Sequence, residues 1–336
     1  MFRSVSILIP TLNAAKVLKP CLEAIAAQDY PKELIEIVIA DGGSADDTLA
    51  IAREHTDKIF PNPLKTGEAG KAVALRNASG EIVAFVDSDN ILPTPDWLRR
   101  MMEPFDDSEI VASEPLQYTY RAQDGMITRY CALIGMNDPL CLFLGNYDRY
   151  CQLTGKWTEL PVEVEERADY LKVGFPGGRL PTIGANGFLM RRSELAGQLA
   201  SDYLFDIDVL YEIAATRALR IAKVKTGIIH LFCGEVSDFS RKQKRRVRDY
   251  LYYQSLSVRK YPWGASSRAG LIKFVLATVT VLPLLWQSLR GYLRQPDVAW
   301  FFHPVACWIT LWQYGWGRIG ALFIKRGELS RADWRQ

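Results

Sequence analysis

Between Ser4 and Val86 the chain repeats one pattern: a short apolar run rich in β-branched residues, a stretch with helical spacing, then another run. The runs are Ser4–Pro10 (SVSILIP), Glu36–Ala40 (EIVIA), a shorter one near Lys58–Phe60, and Ile82–Val86 (IVAFV). Leu18, Leu22 and Ile25 share one face of the first intervening helix, and Ala69–Asn77 supplies another. Strands apolar on both faces need helices on both sides, which predicts an α/β fold with a mostly parallel sheet. In such sheets ligands bind beyond the carboxyl ends of the strands. Those ends carry Thr11 and Asn13, then Asp41 and Ser44, then Asp87 and Asp89. Three polar strand ends predict one polar site.

A chain of 336 residues can bury one large core of this kind together with a smaller appendage. Its net charge of +3 is too small to argue for nucleic acid, but basic residues crowd between Arg241 and Arg268. Six cysteines are scattered without a CxxC pair or interleaved histidines. That spacing suits reduced thiols in a cytosolic compartment better than a zinc site or a disulfide scaffold. The apolar run Val5–Ile9 stops at Pro10 and reads as a strand, not as a signal peptide.

From Asp106 to about Phe239 the pattern is less regular. It holds a turn-rich stretch at Gly174–Asn186, a helix beginning near Asp206–Asp208, and a strand Ile228-Ile229-His230. The last hundred residues change character again. Arg241–Tyr261 mixes basic residues with tyrosines, and two apolar stretches follow, Ala269–Leu289 and Val298–Ile324, separated by Arg290–Asp297. Each is near the roughly 20 residues that a bilayer-crossing helix needs. Lys273, Pro283, His303 and Pro304 interrupt them, so a crossing hairpin and helices lying in the interface are both compatible.

The strand ends carry the chemistry. Two carboxylates separated by one small residue repel each other at the mouth of a core, and a divalent cation relieves that cost. Asp87 and Asp89 therefore point to Mg2+ or Mn2+ holding a diphosphate, against a plainer role for Asp89 as a turn cap. Asp41 can accept from a base N–H or a ribose hydroxyl, or simply start a turn with Gly42-Gly43. Gly70-Lys71 lacks the spacing of a P-loop, but Lys71 and Arg76 can still reach a diphosphate from their helix. His230 alone reads as structural, and Asp206 and Asp208 read first as a helix N-terminus.

These elements together resemble family 2 glycosyltransferases of the GT-A (Rossmann-like) fold. The resemblance rests on Pro10-Thr11-x-Asn13, Gln28-x-Tyr30-Pro31, Ile39–Thr48 (IADGGSADDT), Ala74–Glu81 (ALRNASGE) and Phe85-Val86-Asp87-Ser88-Asp89. Later it thins to Gly184–Phe188 (GANGF) with Arg191-Arg192, and to Phe205–Asp208 (FDID). It implies donor or acceptor contacts at Pro10, Thr11, Asn13, Asp41, Ser44, Lys71, Arg76, Asn77, Ser88 and Asn186. It implies a metal at Asp87 and Asp89 with help from His230. It implies a catalytic base at Asp208, with Asp206 as the other candidate, since Ile207 or Phe205 stands where the family has Glu.

The Gln-x-x-Arg-Trp element of processive polysaccharide synthases is missing, which implies one sugar per encounter. The implied partners are a nucleotide-sugar donor, a glycan or polyprenyl-linked acceptor, and a membrane surface, with transfer by inversion on the cytoplasmic face. Residues 1–239 are expected to form the catalytic domain, with 1–105 the nucleotide-sugar half and 106–239 the acceptor half. Residues 240–336 are then basic and aromatic interface helices followed by two apolar membrane-associated helices. A sugar-nucleotide nucleotidyltransferase is a rival, but Pro10-Thr11-Leu12-Asn13 is not its Gly-rich loop. A non-catalytic scaffold is another, and the intact Asp87/Asp89 pair speaks against it.

Overall fold

The computed structural model describes residues 2–262 and 267–323. The first half builds β1 (Val5–Thr11), α1 (Ala15–Ala26), β2 (Ile35–Asp41), α2 (Thr48–Arg53), β3 (Ile59–Pro61), α3 (Gly67–Arg76), β4 (Ile82–Phe85), β5 (Asn90–Ile91) and α4 (Trp97–Met102). Strands β3, β2, β1 and β4 are neighbours in that order and all parallel. Alternate residues of β1 feed two separate cores. Leu8 packs with α3 through Ala72 and Leu75, whereas Val5, Ile7 and Ile9 pack with Leu18, Leu22 and Ile25 of α1. Helices thus cover both faces, as the apolar runs require.

The second half adds β6 (Ile110–Thr119), α5 (Met126–Ile134), α6 (Leu140–Leu144), β7 (Glu163–Glu166), β8 (Tyr170–Gly174), β9 (Phe188–Arg191), α7 (Asp206–Thr216) and β10 (Arg220–His230). They extend the sheet beyond β4 in the order β9, β6, β10, β8, β7, with β5 pairing the end of β10. Only β6 and β10 are parallel here; β9 runs antiparallel between β4 and β6. The chain reverses before β9 through Gly184, Ala185, Asn186 and Gly187, all at positive φ (112°, 60°, 46° and 81°). A Cβ at Gly187 would strike Ile228 and the Trp97 ring, so the strand enters only through glycine.

The tail consists of α8 (Val236–Ser255), α9 (Arg268–Thr280), α10 (Leu282–Arg294) and α11 (His303–Phe323). The division expected at 239/240 falls inside α8. Fully buried Phe239 joins Phe232, Tyr130 and Trp300 in a third core, which ties α8 and the start of the last apolar stretch to α5. The stretch Ala269–Leu289 is not one helix. It breaks at Val281 (φ 62°), and α9 and α10 meet at 93°. Pro283, in the first turn of α10, cannot continue the ladder of α9, which explains the break. No single helix among the described residues is long and apolar enough to cross a membrane. The end of the second stretch, Ile324, lies outside the described residues.

Candidate functional site

Beyond β4 the chain turns at Asp87, whose N–H donates to Asn90 Oδ1 at 2.9 Å. Asn90 then pairs with His230 across β5 and β10, so the end of β10 is brought against this turn. His230 Nε2 lies 3.3 Å from Asp89 Oδ1. Lys242, one turn and more into α8, sets its Nζ 3.5 Å from Asp89 Oδ2 and 4.4 Å from the centre of the Phe232 ring. Burial works against ionisation of Asp89, but His230 and Lys242 outweigh it and hold that carboxyl well below its ordinary range. Asp87 goes the other way: burial raises it, and Asp89 adds to the rise while Lys71 opposes it.

Lys71 and Asp206 close the opposite side. Lys71 Nζ donates to Asp206 Oδ2 at 2.5 Å, with the two side chains about one tenth exposed or less. Burial disfavours the ammonium, yet Asp206 and Asp87 keep its pKa above the ordinary lysine value. Asp208, two residues on, is turned away. Its carboxylate accepts from Arg259 Nε and Nη2 at 3.0 and 2.9 Å and from the Lys260 N–H at 2.9 Å. Of the two candidate bases, Asp208 and Asp206, the first turn of α7 points Asp206 at the Asp87 side. Residues two apart on a helix lie about 200° apart around its axis, so only one can face the site.

At the ends of β1 and β2, Thr11 Oγ1 and Ser44 Oγ donate to Asp41 Oδ1 at 2.9 and 2.6 Å, and the Gly43 and Ser44 N–H groups donate to Oδ2. Burial alone would raise Asp41; these four bonds lower it instead. Asn13 Oδ1 accepts from the Ala45 N–H, fastening the ends of β1 and β2 together. Beside them opens a cleft of about 500 Å³, lined by Asp41, Gly42, Gly43, Arg53, Pro61 and Lys65 among others. Pro10 packs under Gly70 at the start of α3, and Ser88 is half-buried between the two aspartates.

Two expected contacts are not brought here, and a third, Asn186, reaches the site but is held by other partners. Arg76 and Asn77 close the far end of α3: Arg76 donates to the Ser201 carbonyl and Asn77 caps the helix. Asn186 is fully engaged, accepting from Asn90 Nδ2 at 2.9 Å and donating to Tyr118 Oη at 3.0 Å. Its loop rests on a buried charge cluster. Glu114 accepts from Arg149 at 2.5 Å, from Lys223 at 2.7 Å and from the Gly184 N–H at 3.1 Å, and Arg149 reaches the Ala185 and Asn186 carbonyls. A Cβ at Gly184 would meet Asp206 Cβ, so this loop is the floor on which Asp206 stands. Sequence reasoning missed Lys242, Asn90 and this cluster. Only Lys242 had a signal, since the basic run opens soon after the strand that ends in His230.

The Oδ1 atom of Asp206 is buried without a hydrogen-bond partner. Among the described residues no three His, Cys, Asp or Glu side chains converge to cage a metal. Asp87 and Asp89, with His230 beside them, instead fit a hard cation held jointly with substrate phosphates, the usual manner for Mg2+.

Residues 6–129 match the family model described as Glycosyl transferase family 2. The poly(ribitol-phosphate) beta-N-acetylglucosaminyltransferase TarS of Staphylococcus aureus is 38% identical over 93 residues, 26% of this chain and 16% of that protein. A dolichyl N-acetyl-alpha-D-glucosaminyl phosphate 3-beta-D-2,3-diacetamido-2,3-dideoxy-beta-D-glucuronosyltransferase of Methanococcus voltae is 37% identical over 108 residues, 30% of this chain and 33% of that protein. The chain thus spans a third or less of the length of these two relatives. The mannosyltransferase PcManGT of Pyrobaculum calidifontis, solved with GDP-Man and Mn2+, superimposes with a TM-score of 0.52 at 17% identity, over 94% of this chain and 88% of that one. The two share a fold.

Proposed function

We infer that this chain, which belongs to glycosyl transferase family 2 through residues 6–129 and has its GT-A type fold, moves a sugar from a nucleoside-diphosphate donor to a membrane-borne glycan or polyprenyl-linked acceptor. One observation carries the reading. An Asp87/Asp89 pair flanked by Lys242 and His230 faces a buried Lys71–Asp206 pair, next to a cleft of about 500 Å³ at the strand ends. The nucleoside goes to the cleft, where Arg53 and Lys65 offer positive charge, and its diphosphate reaches toward Asp89. In this reading residues 1–105 hold the donor and 106–239 the acceptor, with α8 completing the site between them.

The transfer is a single displacement with inversion. The acceptor hydroxyl oxygen bonds to the anomeric carbon as the bond from that carbon to the diphosphate oxygen breaks, and the electron pair leaves with the diphosphate. Asp206 Oδ1, which has no partner, accepts the hydroxyl proton, while Lys71 on Oδ2 holds the carboxylate in place. Lys242 sets positive charge where the departing diphosphate gathers its negative charge. Mg2+ or Mn2+, when bound by Asp87 and Asp89 with His230, supplies further neutralisation of that leaving group. Relatives support this acceptor class: the Methanococcus voltae protein is described as acting on a dolichyl-linked sugar phosphate. Nucleotide sugars are cytosolic, so the site belongs on the cytoplasmic face.

The test is a panel of nucleotide sugars incubated with the protein and Mn2+ or Mg2+, following release of the nucleoside diphosphate. Release with at least one donor, abolished by chelator, is expected. No release from any donor under either metal refutes the assignment.

A further inference from the structure

Sixteen of the twenty-four exposed large apolar side chains among the described residues lie between Leu271 and Ile319. A soluble surface rarely gathers so many in one place. On α11 they form a stripe, Val305, Trp308, Trp312, Trp316 and Ile319, at the three- and four-residue steps of one helix face. The other face of α11 is tied to the body of the protein. Tyr314 Oη donates to Asp138 Oδ2 at 2.5 Å, and Gln313 Nε2 donates to Ser240 Oγ of α8 at 2.9 Å.

The junction between α10 and α11 is held on the same body. Arg294 Nη1 donates to the Gln152 and Leu153 carbonyls at 3.0 and 2.7 Å, Gln295 Nε2 donates to Tyr120 Oη at 3.1 Å, and Asp297 pairs with Arg129 at 3.4 Å. A hairpin that crossed a bilayer would carry this junction about 30 Å away from the catalytic domain. α9 and α10 have 13 residues each and meet at 93°. Each is about 20 Å long, short of the hydrocarbon core. Lys273 and Arg290 stand exposed on these helices, which suits headgroup depth and not the bilayer centre.

From this, and resting on the membrane-borne acceptor just described, we propose that α9, α10 and α11 form a platform lying in the plane of one leaflet of an anionic membrane. The α10–α11 junction stays on the catalytic side. Arg241, Lys244 and Arg245, exposed on α8, which itself packs against α11, match the charge of anionic headgroups. The consequence for the site is direct. α8 turns Lys242 toward Asp89 and Ser240 and Gln243 toward α11. About one helix diameter, 10–12 Å, therefore separates the metal-binding carboxylates from the membrane-facing helix. An acceptor headgroup meets the site while its lipid stays in the leaflet.

Two measurements on the full chain test this. In flotation with sealed vesicles, the protein should bind phosphatidylcholine vesicles containing phosphatidylglycerol, and more weakly at high salt. The double variant Trp286→Glu, Trp312→Glu should bind at least tenfold less while still releasing nucleotide from its donor. Equal binding of this variant and the parent, or no binding by the parent, overturns the docking face. Then Pro296→Cys, which is exposed at the junction, is labelled on vesicles with a membrane-impermeant maleimide. Labelling above the parent without detergent is expected, and labelling only after detergent means a crossing hairpin and overturns the in-plane arrangement. Nucleotide release is read separately, so failure of the docking and failure of the transferase assignment remain distinct.

Discussion

Exchanging Asp206 and Asp208 one at a time for Asn separates a chemical role from a structural one. Asp208 is the anchor of the segment that follows α8, through a forked Arg259 and the Lys260 N–H. Removing one partner of a buried ion pair costs about 3–5 kcal/mol. Arg259 is one fifth exposed and its guanidinium lies 4.2 Å over the Phe205 ring, so it keeps water and an aromatic partner. That discounts the cost to about 2 kcal/mol, or roughly a 3 °C fall in Tm for a chain of this length. Asp206→Asn strands Lys71 less severely, because Asp87 and Glu68 also face that ammonium. Its stability loss should be about 1 kcal/mol, whereas losing a general base lowers turnover about 10²–10⁴-fold. The assay is a thermal melt paired with initial rates at saturating donor. Asp206→Asn should lower kcat with donor KM nearly unchanged, and Asp208→Asn should lower Tm with kcat within a few-fold of the parent. A large kcat loss in Asp208→Asn at unchanged Tm, with Asp206→Asn near normal, would refute the geometric argument. Near-normal turnover in both would mean an acceptor that is already ionised, such as a phosphate.

Other perturbations probe other parts. Asp89→Ala should leave the protein folded and reduce nucleotide release by at least 100-fold, and turnover that survives in chelator would contradict the metal role. Lys242→Ala should weaken donor binding several-fold and leave the pH profile of kcat in place; an unchanged donor KM would show that α8 takes no part. Glu36 ties β1, β2 and the start of β4 through Ser6, Lys58 and the Ser79 N–H and Oγ. Although burial pushes it up, these bonds bring its pKa from 4.5 down to about 2. The folded value is depressed, so Glu36 contributes its stability above about pH 4.5 and loses it as pH falls toward 2. Glu36→Gln should therefore melt about 2–3 kcal/mol less stable at pH 7, with the gap closing below pH 4.5; a gap that is constant with pH would rule this out.

The first hundred residues were readable because their signals are local. An apolar run such as Ile82–Val86 has few alternatives to a buried strand, and a strand of a parallel sheet delivers whatever follows it to the same edge. Helix rise makes the opposite error easy. Lys71 and Arg76 sit in one motif, yet five residues at 1.5 Å carry Arg76 to the far end of α3. The choice between Asp206 and Asp208 depends on how α7 is rotated against the sheet, which packing with β9 and β10 decides and no short window records. Lys242 was hidden for a different reason: a lysine destined for a carboxylate and one destined for lipid headgroups look alike in a basic run. Glu114, Arg149 and Lys223 come from three distant segments with no shared period, and only the fold makes them a cluster.

The four left-handed residues from Gly184 to Gly187 bear on how such an enzyme could be redesigned. Their backbone shape is dictated from below by Glu114 and Arg149 and from above by the side chain of Asp206. Asn186 meanwhile spends its amide on Asn90 and Tyr118. A library that randomised this motif in search of a new sugar preference would mostly be sampling broken hinges, since a β-carbon at either glycine displaces Asp206 or Trp97. Variation is safer on the rim of the cleft, at Arg53 and Lys65, where a side chain can be exchanged without moving the frame that positions Asp206.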